Sequence, residues 1–320
     1  MKTILLGFEP NTLSASDLAQ IQALAPDYHL LVTTDKQTIE QALDEIEIAF
    51  KEFPQSLITK APQLRWLQLW SAGADWLLRY PEITKLDLTV TNSSGVHAIP
   101  ISEHILSYLF AFARSLPSAI RSQTQHAWQR SDWKHIFELA GKTMVLIGVG
   151  AIGERTALIA NALDMRVLGV RRDSSATTPG VEAMFGTDQL LEVLPQADFV
   201  VLTVPMTPET KNLIGETELR AMKSTAYIVN IGRGGTIDEA ALIRALQEKW
   251  IAGAGLDVFA TEPLPADSPL WEMENVIVTS HYAGNTPKYD ERAIAIFMDN
   301  LRLYMAGEPL RNVVDKTLGY

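Results

Sequence analysis

The chain contains no cysteine. That excludes disulfides, thiolate metal ligands and a thiol nucleophile, and it fits a reducing, cytoplasmic setting. No stretch approaches the roughly 18 apolar residues of a membrane span. The opening run M-K-T-I-L-L-G-F-E-P meets a charge at Glu9, too early for the apolar segment of a secretory signal. Positive charge is in short supply, with 27 Lys and Arg against 38 Asp and Glu for a net −11. Such a surface repels phosphate backbones and anionic lipid, so neither nucleic acid nor membrane is expected as a partner. No metal site is expected, and an anionic small-molecule substrate needs a positive pocket of its own. What is present is ordinary for a folded soluble protein. The 320 residues are 47% hydrophobic and 20% charged, enough for two domains with buried cores.

Short apolar runs at 4–7, 30–33, 46–49, 66–69 and 88–91 read as strands, with an amphipathic segment at 17–24 between the first two. This alternation predicts a small parallel-sheet domain. Residues 100–121 read as one long helix, whose face carries Ile101, Ile105, Leu106, Leu109, Phe110 and Phe112. That face looks too wide for one small domain's core, so a homodimer through it is expected. From Lys142 a second series begins, with strands expected at 144–147, 166–170, 199–203, 226–230, 254–258 and 276–279. A helix is expected at 238–248, after the turn 232–235. Six strands linked by helices match a doubly wound dinucleotide fold. A last helix at about 291–305 is placed to return to the first domain. The expected division is therefore 1–95 with 290–320, and 96–289 inserted between them.

The most informative stretch is 144–153, M-V-L-I-G-V-G-A-I-G. A buried strand runs into Gly148, Gly150 and Gly153 at the spacing G-x-G-x-x-G, and a helical pattern follows. The first glycine permits a tight turn, the second lets backbone approach a diphosphate, and the third lets helix pack on strand. The diphosphate then sits on the helix N-terminus, whose free amides attract anions. About 20 positions on, where an NAD site places an acid, this chain has Arg171 and Arg172, followed by Asp173. Two guanidinium groups suit a 2′-phosphate. NADP(H) is therefore expected in preference to NAD(H), with Asp173 still in reach of a ribose.

Three further segments fall at strand ends. V-N-I-G-R-G-G-T-I-D-E carries Arg233, G-L-D-V-F-A-T-E-P-L carries Asp257 and Glu262, and V-I-V-T-S-H-Y-A-G-N carries His281. Singly, each of these residues has an ordinary structural explanation. Together, in this order and beside the glycine motif, they closely resemble the D-isomer-specific 2-hydroxyacid dehydrogenase family. The likeness covers nearly the whole chain and is densest over 93–284.

The resemblance implies an α/β protein of two doubly wound domains, a Rossmann domain inserted into a smaller flavodoxin-like substrate domain. It implies His281 as the acid-base group, which suits an imidazole whose reference pKa lies near 6.5. Glu262 would orient that imidazole and favour its protonated form. Arg233 would bind the substrate carboxylate and polarise the adjacent carbonyl. Asp257 would hold the nicotinamide carboxamide side. The cofactor set implied is Gly148, Gly150, Ala151, Ile152, Gly153, Arg171, Arg172, Val204, Pro205, Thr210, Ile231, Arg233, Asp257, His281 and Gly284. For the substrate it is Ser71, Ala72 and Gly73, with Val96, Arg233 and His281.

There are departures from the family pattern. Ser280 stands where many relatives have proline. Glu262 counts against formate oxidation, which pairs histidine with glutamine. The end at Tyr320 leaves no room for a regulatory domain. His29, His97, His104, His126 and His135 are given no role. The expectation is a reductase of short 2-keto acids that makes the D-2-hydroxy acid. The alternatives are an oxidant of phosphite or 3-phosphoglycerate, and a corepressor-like nucleotide sensor that does without turnover.

Overall fold

A parallel strand covered on both faces must be apolar at every position, because successive side chains point to opposite sides. The computed structural model describes residues 2–319 apart from 131 and 176, and of Asp75 the backbone alone. The chain forms two compact units, Met1–Val96 with Pro287–Tyr320, and His97–Thr286.

The first unit holds a five-stranded parallel sheet of β1 Thr3–Gly7, β2 His29–Val32, β3 Ile46–Lys51, β4 Trp66–Gln68 and β5 Thr89–Thr91. Its order is β2-β1-β3-β4-β5. Every residue of β1 is buried. Leu5 joins Ile39, Leu57, Leu77 and Ile83 on one face. Ile4 and Leu6 join Ile21, Phe297 and Leu301 on the other. The last two come from the helix Tyr289–Ala306, so the end of the chain completes the unit in which it begins. There Phe297 stacks on Phe50 at 4.3 Å between ring centroids.

A half-hidden carboxylate ties this layer together. Glu47 of β3 accepts hydrogen bonds from the Tyr28 hydroxyl at 2.6 Å and the Tyr304 hydroxyl at 3.1 Å, and it pairs with Lys2 at 2.9 Å. Burial raises its carboxyl, but these donors outweigh that and hold it below the usual carboxylate range. Conversely burial, then the neighbouring carboxylate, push the Tyr304 phenol up to about 12. A lowered carboxyl stabilises the fold above its unfolded value, and the stabilisation is lost as pH falls through the folded one. Glu47→Ala is therefore expected to cost about 1–3 kcal/mol at neutral pH. Denaturant unfolding checks this, and the difference from the parent should shrink as the medium is acidified.

The second unit holds a seven-stranded parallel sheet. Its strands are β6 Thr143–Ile147, β7 Arg166–Val170, β8 Ala183–Phe185, β9 Phe199–Leu202, β10 Tyr227–Asn230, β11 Gly253–Leu256 and β12 Val276–Val278. The order β12-β11-β10-β9-β6-β7-β8 reverses between β6 and β9, and ligands of open α/β sheets bind at such a reversal, beyond the carboxyl ends of the strands. Within β6, Val145 and Ile147 enter one core and Met144 and Leu146 the other.

Two sequence expectations change here. The sheet has seven strands and not six, because β8 is a three-residue, half-buried edge strand whose periodicity is too short to read. The expected helix over 100–121 is two, Ala98–Ala113 and Leu116–Thr124, broken at Ser115 with φ +52. Pro117 has no amide to continue the first helix and opens the second. The wide apolar face is also absorbed differently. Ile101, Ile105, Leu106, Leu109 and Phe112 are buried in this unit's own core. Phe110 stays exposed, as do Leu116, Ile120, Trp128 and Trp133.

Candidate active site

At the reversal point the glycines answer to steric demands. Gly148 has φ +100, and a Cβ there would lie 2.8 Å from Thr203 Oγ1 and 3.0 Å from Val204 N. A Cβ on Gly153 would lie 2.3 Å from the Gly148 carbonyl oxygen, so only glycine lets the helix Ala151–Ala162 start this close to β6. The Thr203 hydroxyl donates to that same carbonyl at 2.6 Å and fixes the turn. Around Gly150, by contrast, a Cβ would meet nothing within 4 Å. Open space above the first amides of a helix fits a diphosphate, and Ala151 and Ile152 supply those amides.

Beyond β7 the carboxylate of Asp173 is turned into its own loop, accepting from the Ser175 hydroxyl at 2.6 Å and the Ser175 amide at 3.1 Å. These bonds, then the charge of Arg171, hold it below the usual carboxylate range. Glu209 is lowered first by hydrogen bonds within its loop and then by the charge of Arg172. Arg172 is therefore near enough for its charge to reach Glu209, in the loop that carries Val204, Pro205 and Thr210. That loop is pinned by Thr210, whose hydroxyl donates to the Pro205 carbonyl at 2.7 Å.

Arg233 sits on a turn locked by Asn230, whose side chain accepts from the Gly232 amide at 3.1 Å and donates to the Arg233 carbonyl at 3.1 Å. Ile231 between them is buried. The turn presses on the next loop, since a Cβ on Gly234 would fall 1.9 Å from the Phe259 carbonyl group. Glu262 closes that loop by accepting from the Phe259 amide at 3.0 Å. Its other oxygen lies 2.6 Å from His281 Nδ1. Burial pushes the Glu262 carboxyl up, but the bonds from His281 and Phe259 and the charges of His281 and Arg233 hold it below the usual range. The carboxylate thus meets the imidazole, while the Arg233 guanidinium donates to the Gly232 carbonyl at 2.8 Å and reaches Glu262 through its charge. His281 Nδ1 is engaged by that carboxylate, and half of the side chain is exposed.

The loop bearing His281 wraps Asp257, which is 2% exposed. His281 has φ +54 and donates its amide to the Asp257 carbonyl at 2.9 Å. The amides of Tyr282 and Ala283 donate to the Asp257 carboxylate at 3.1 and 3.0 Å. Asp257 is thus occupied as a structural anchor from the protein side. Gly284 is fixed through its carbonyl, 3.1 Å from His97 Nδ1.

Sequence reasoning missed several supports. Thr279, Tyr108 and His104 all meet behind Asp257, with His104 Nε2 3.1 Å from Thr279 Oγ1. Nothing in the pattern of the helix Ala98–Ala113 marks His104 and Tyr108 apart from its core positions, and Thr279 simply follows β12.

The remaining expected residues belong to the first unit. The Ser71 hydroxyl donates to the Gly73 carbonyl at 2.9 Å, and Asn92 donates to the Ala72 carbonyl at 2.7 Å, giving the loop a set shape. Ser71 also lines a cavity of about 410 Å³ beside Lys51, Trp70 and Trp76. Val96 is 1% exposed, so its side chain offers almost no surface.

Comparison with known proteins agrees with this geometry. The family described as "D-isomer specific 2-hydroxyacid dehydrogenase, NAD binding domain" matches residues 106–283. The glyoxylate reductase of Korarchaeum cryptofilum is 36% identical over 263 residues, which cover 80% of this chain and 77% of that protein. A D-isomer specific 2-hydroxyacid dehydrogenase from Xanthobacter autotrophicus Py2, solved in complex with NADPH and MES, superposes with a TM-score of 0.83 at 29% identity. The match covers 100% of this chain and 99% of that one. The NADPH-dependent glyoxylate/hydroxypyruvate reductase of Sinorhizobium meliloti, in complex with NADP and sulfate, has a TM-score of 0.80 at 25% identity and full coverage of both chains. With a reversal-point glycine turn, a histidine bonded to a carboxylate and relatives of this kind, the chain belongs to the D-isomer specific 2-hydroxyacid dehydrogenases and is an NAD(P)-dependent oxidoreductase of 2-hydroxy acids.

Proposed function

We propose that this enzyme is an NADPH-preferring reductase of short 2-keto acids such as glyoxylate, hydroxypyruvate or a bulkier analogue, and that it forms the D-2-hydroxy acid. The observation that carries the proposal is the 2.6 Å contact between His281 Nδ1 and Glu262, set against the Arg233 turn. When bound, the nicotinamide supplies the hydride. Arg233 holds the substrate carboxylate and polarises the carbonyl beside it. His281 gives the proton on Nε2 to the carbonyl oxygen as charge develops there, and takes it back in the reverse direction. Glu262 keeps the ring oriented through its bond to Nδ1. The further substrate residues proposed, on the family resemblance, are Ser71, Ala72, Gly73 and Val96. Arg171 and Arg172 take the 2′-phosphate, an assignment favoured by Asp173 being engaged in its own loop.

Initial rates over a keto-acid panel with both nucleotides test this. Faster turnover with NADPH is expected. Equal or faster rates with NADH would remove the cofactor preference, and inertness toward every 2-keto acid would remove the reaction. The intact pairing of His281 with Glu262 disfavours a sensor that binds nucleotide without turnover.

Glu262→Gln gives a further check. The amide cannot hold Nδ1 as the carboxylate does, so turnover at neutral pH should fall on the order of ten-fold. Unchanged turnover would mean that the carboxylate does not act on His281.

The assembly we favour is a homodimer through the exposed apolar residues Phe110, Leu116, Ile120, Trp128 and Trp133, which lie within one stretch of chain. Sedimentation with Ile120→Lys tests it, a shift to monomer being the expected result. We place the enzyme in the cytoplasm, where reduced nicotinamide nucleotide is available to it. Among the described residues no helix is long and apolar enough to cross a membrane.

A further inference from the structure

Behind the loop that carries His281 lies a buried line of hydroxyl groups. Tyr108, on the helix Ala98–Ala113, is 2% exposed. Its ring packs against Gly255 of β11, where a Cβ would come within 2.7 Å of it. Its hydroxyl then lies 2.5 Å from Thr279 Oγ1. Thr279 is itself 2.5 Å from Asp257 Oδ1, and a carboxylate can only accept. The single hydroxyl hydrogen of Thr279 is thereby committed to Asp257, so Tyr108 has to donate to Thr279. His104 Nε2, 3.1 Å from the same Oγ1, fills its second lone pair as a donor. Burial lowers the His104 pKa against the pull of Asp257. Every valence of the threonine oxygen is used.

We infer that Tyr108, acting through Thr279 and Asp257, is a positioning residue for His281. The line runs from phenol to threonine hydroxyl to carboxylate, and from the carboxylate to the amides of Tyr282 and Ala283. His281 holds a left-handed backbone at φ +54, which a non-glycine residue keeps only where its surroundings enforce it. Those surroundings are the bonds to Asp257, and Asp257 is aimed by Thr279. Were Tyr108 to lose its hydroxyl, Thr279 could turn its hydrogen away from the carboxylate, and the loop under the imidazole would loosen. The inference rests on the assignment of proton transfer to His281.

The test uses the full-length enzyme with NADPH and hydroxypyruvate. Tyr108→Phe keeps the ring on Gly255, Thr279→Val removes the hydroxyl at nearly constant shape, and Thr279→Ser restores it. The kcat is expected to fall about five-fold in Tyr108→Phe and about ten-fold or more in Thr279→Val, while the substrate KM changes little. Thr279→Ser should return most of the rate. Tyr108→Phe should cost nothing further in the Thr279→Val background, because both changes cut the same line. Amide exchange at Tyr282 and Ala283 should accelerate in both single variants. Unchanged kcat and exchange in Tyr108→Phe would overturn the inference, and so would an undiminished loss in the double variant. If His281→Ala retained turnover while the exchange effects appeared, the anchoring would stand and the assignment of the proton to His281 would fall.

Discussion

Replacing His281 with alanine should lower kcat for keto-acid reduction about 10²- to 10⁴-fold while NADPH binding stays nearly intact. On the proposed mechanism the proton that the carbonyl oxygen acquires comes from His281, whose Nδ1 lies 2.6 Å from Glu262. The proposed grip on the nucleotide lies elsewhere, in the glycine turn after β6 and the arginines after β7. Removing the imidazole also leaves the backbone bonds from residues 281–283 to Asp257 in place, so the loop has no reason to collapse. Titration of NADPH binding by fluorescence, beside steady-state rates, separates the two effects. Loss of both together would mean that His281 holds the fold and not the proton.

The second large effect concerns the 2′-phosphate. Changing Arg171 and Arg172 together to serine should reduce kcat/KM for NADPH about 10- to 100-fold or more, since bonds to charged groups are worth about 1.5–3 kcal/mol each. The value for NADH should move little, because Asp173 keeps its hydrogen bonds to Ser175 and the diphosphate turn is untouched. In a chain of net charge −11, two adjacent cations at this place are a local exception, and their effect should weaken as salt is added. An equal loss for both nucleotides would point to a structural role at the end of β7. No loss for either would leave the preference without a cause.

What could be read from the sequence was whatever depends on a local demand. Gly148 and Gly153 are glycine because a Cβ has nowhere to go, and that necessity shows as spacing. Arg233, Glu262 and His281 stand out in the sequence because each follows a short apolar run and their order along the chain is distinctive, and of them the structure joins Glu262 to His281. The helix break at Ser115 was half legible. Pro117 was visible, but the competing apolar periodicity on either side favoured a single helix. The edge strand β8 was too short to show a period. Least legible was the support behind the site. Tyr108 and Thr279 are 171 positions apart, and their contact depends on Gly255 leaving room for a ring, a relation no local pattern carries. The same holds for the Gly234 turn, whose closeness to Phe259 brings Arg233 to Glu262 only once β10 and β11 are paired.

The most direct test of hydride chemistry at this site is the stoichiometry and handedness of product formed from hydroxypyruvate. One D-glycerate is expected for each NADPH oxidised, with its formation slowed about 10²- to 10⁴-fold in His281→Ala. NADPH left unconsumed by the parent enzyme, or a product of the L configuration, would contradict it.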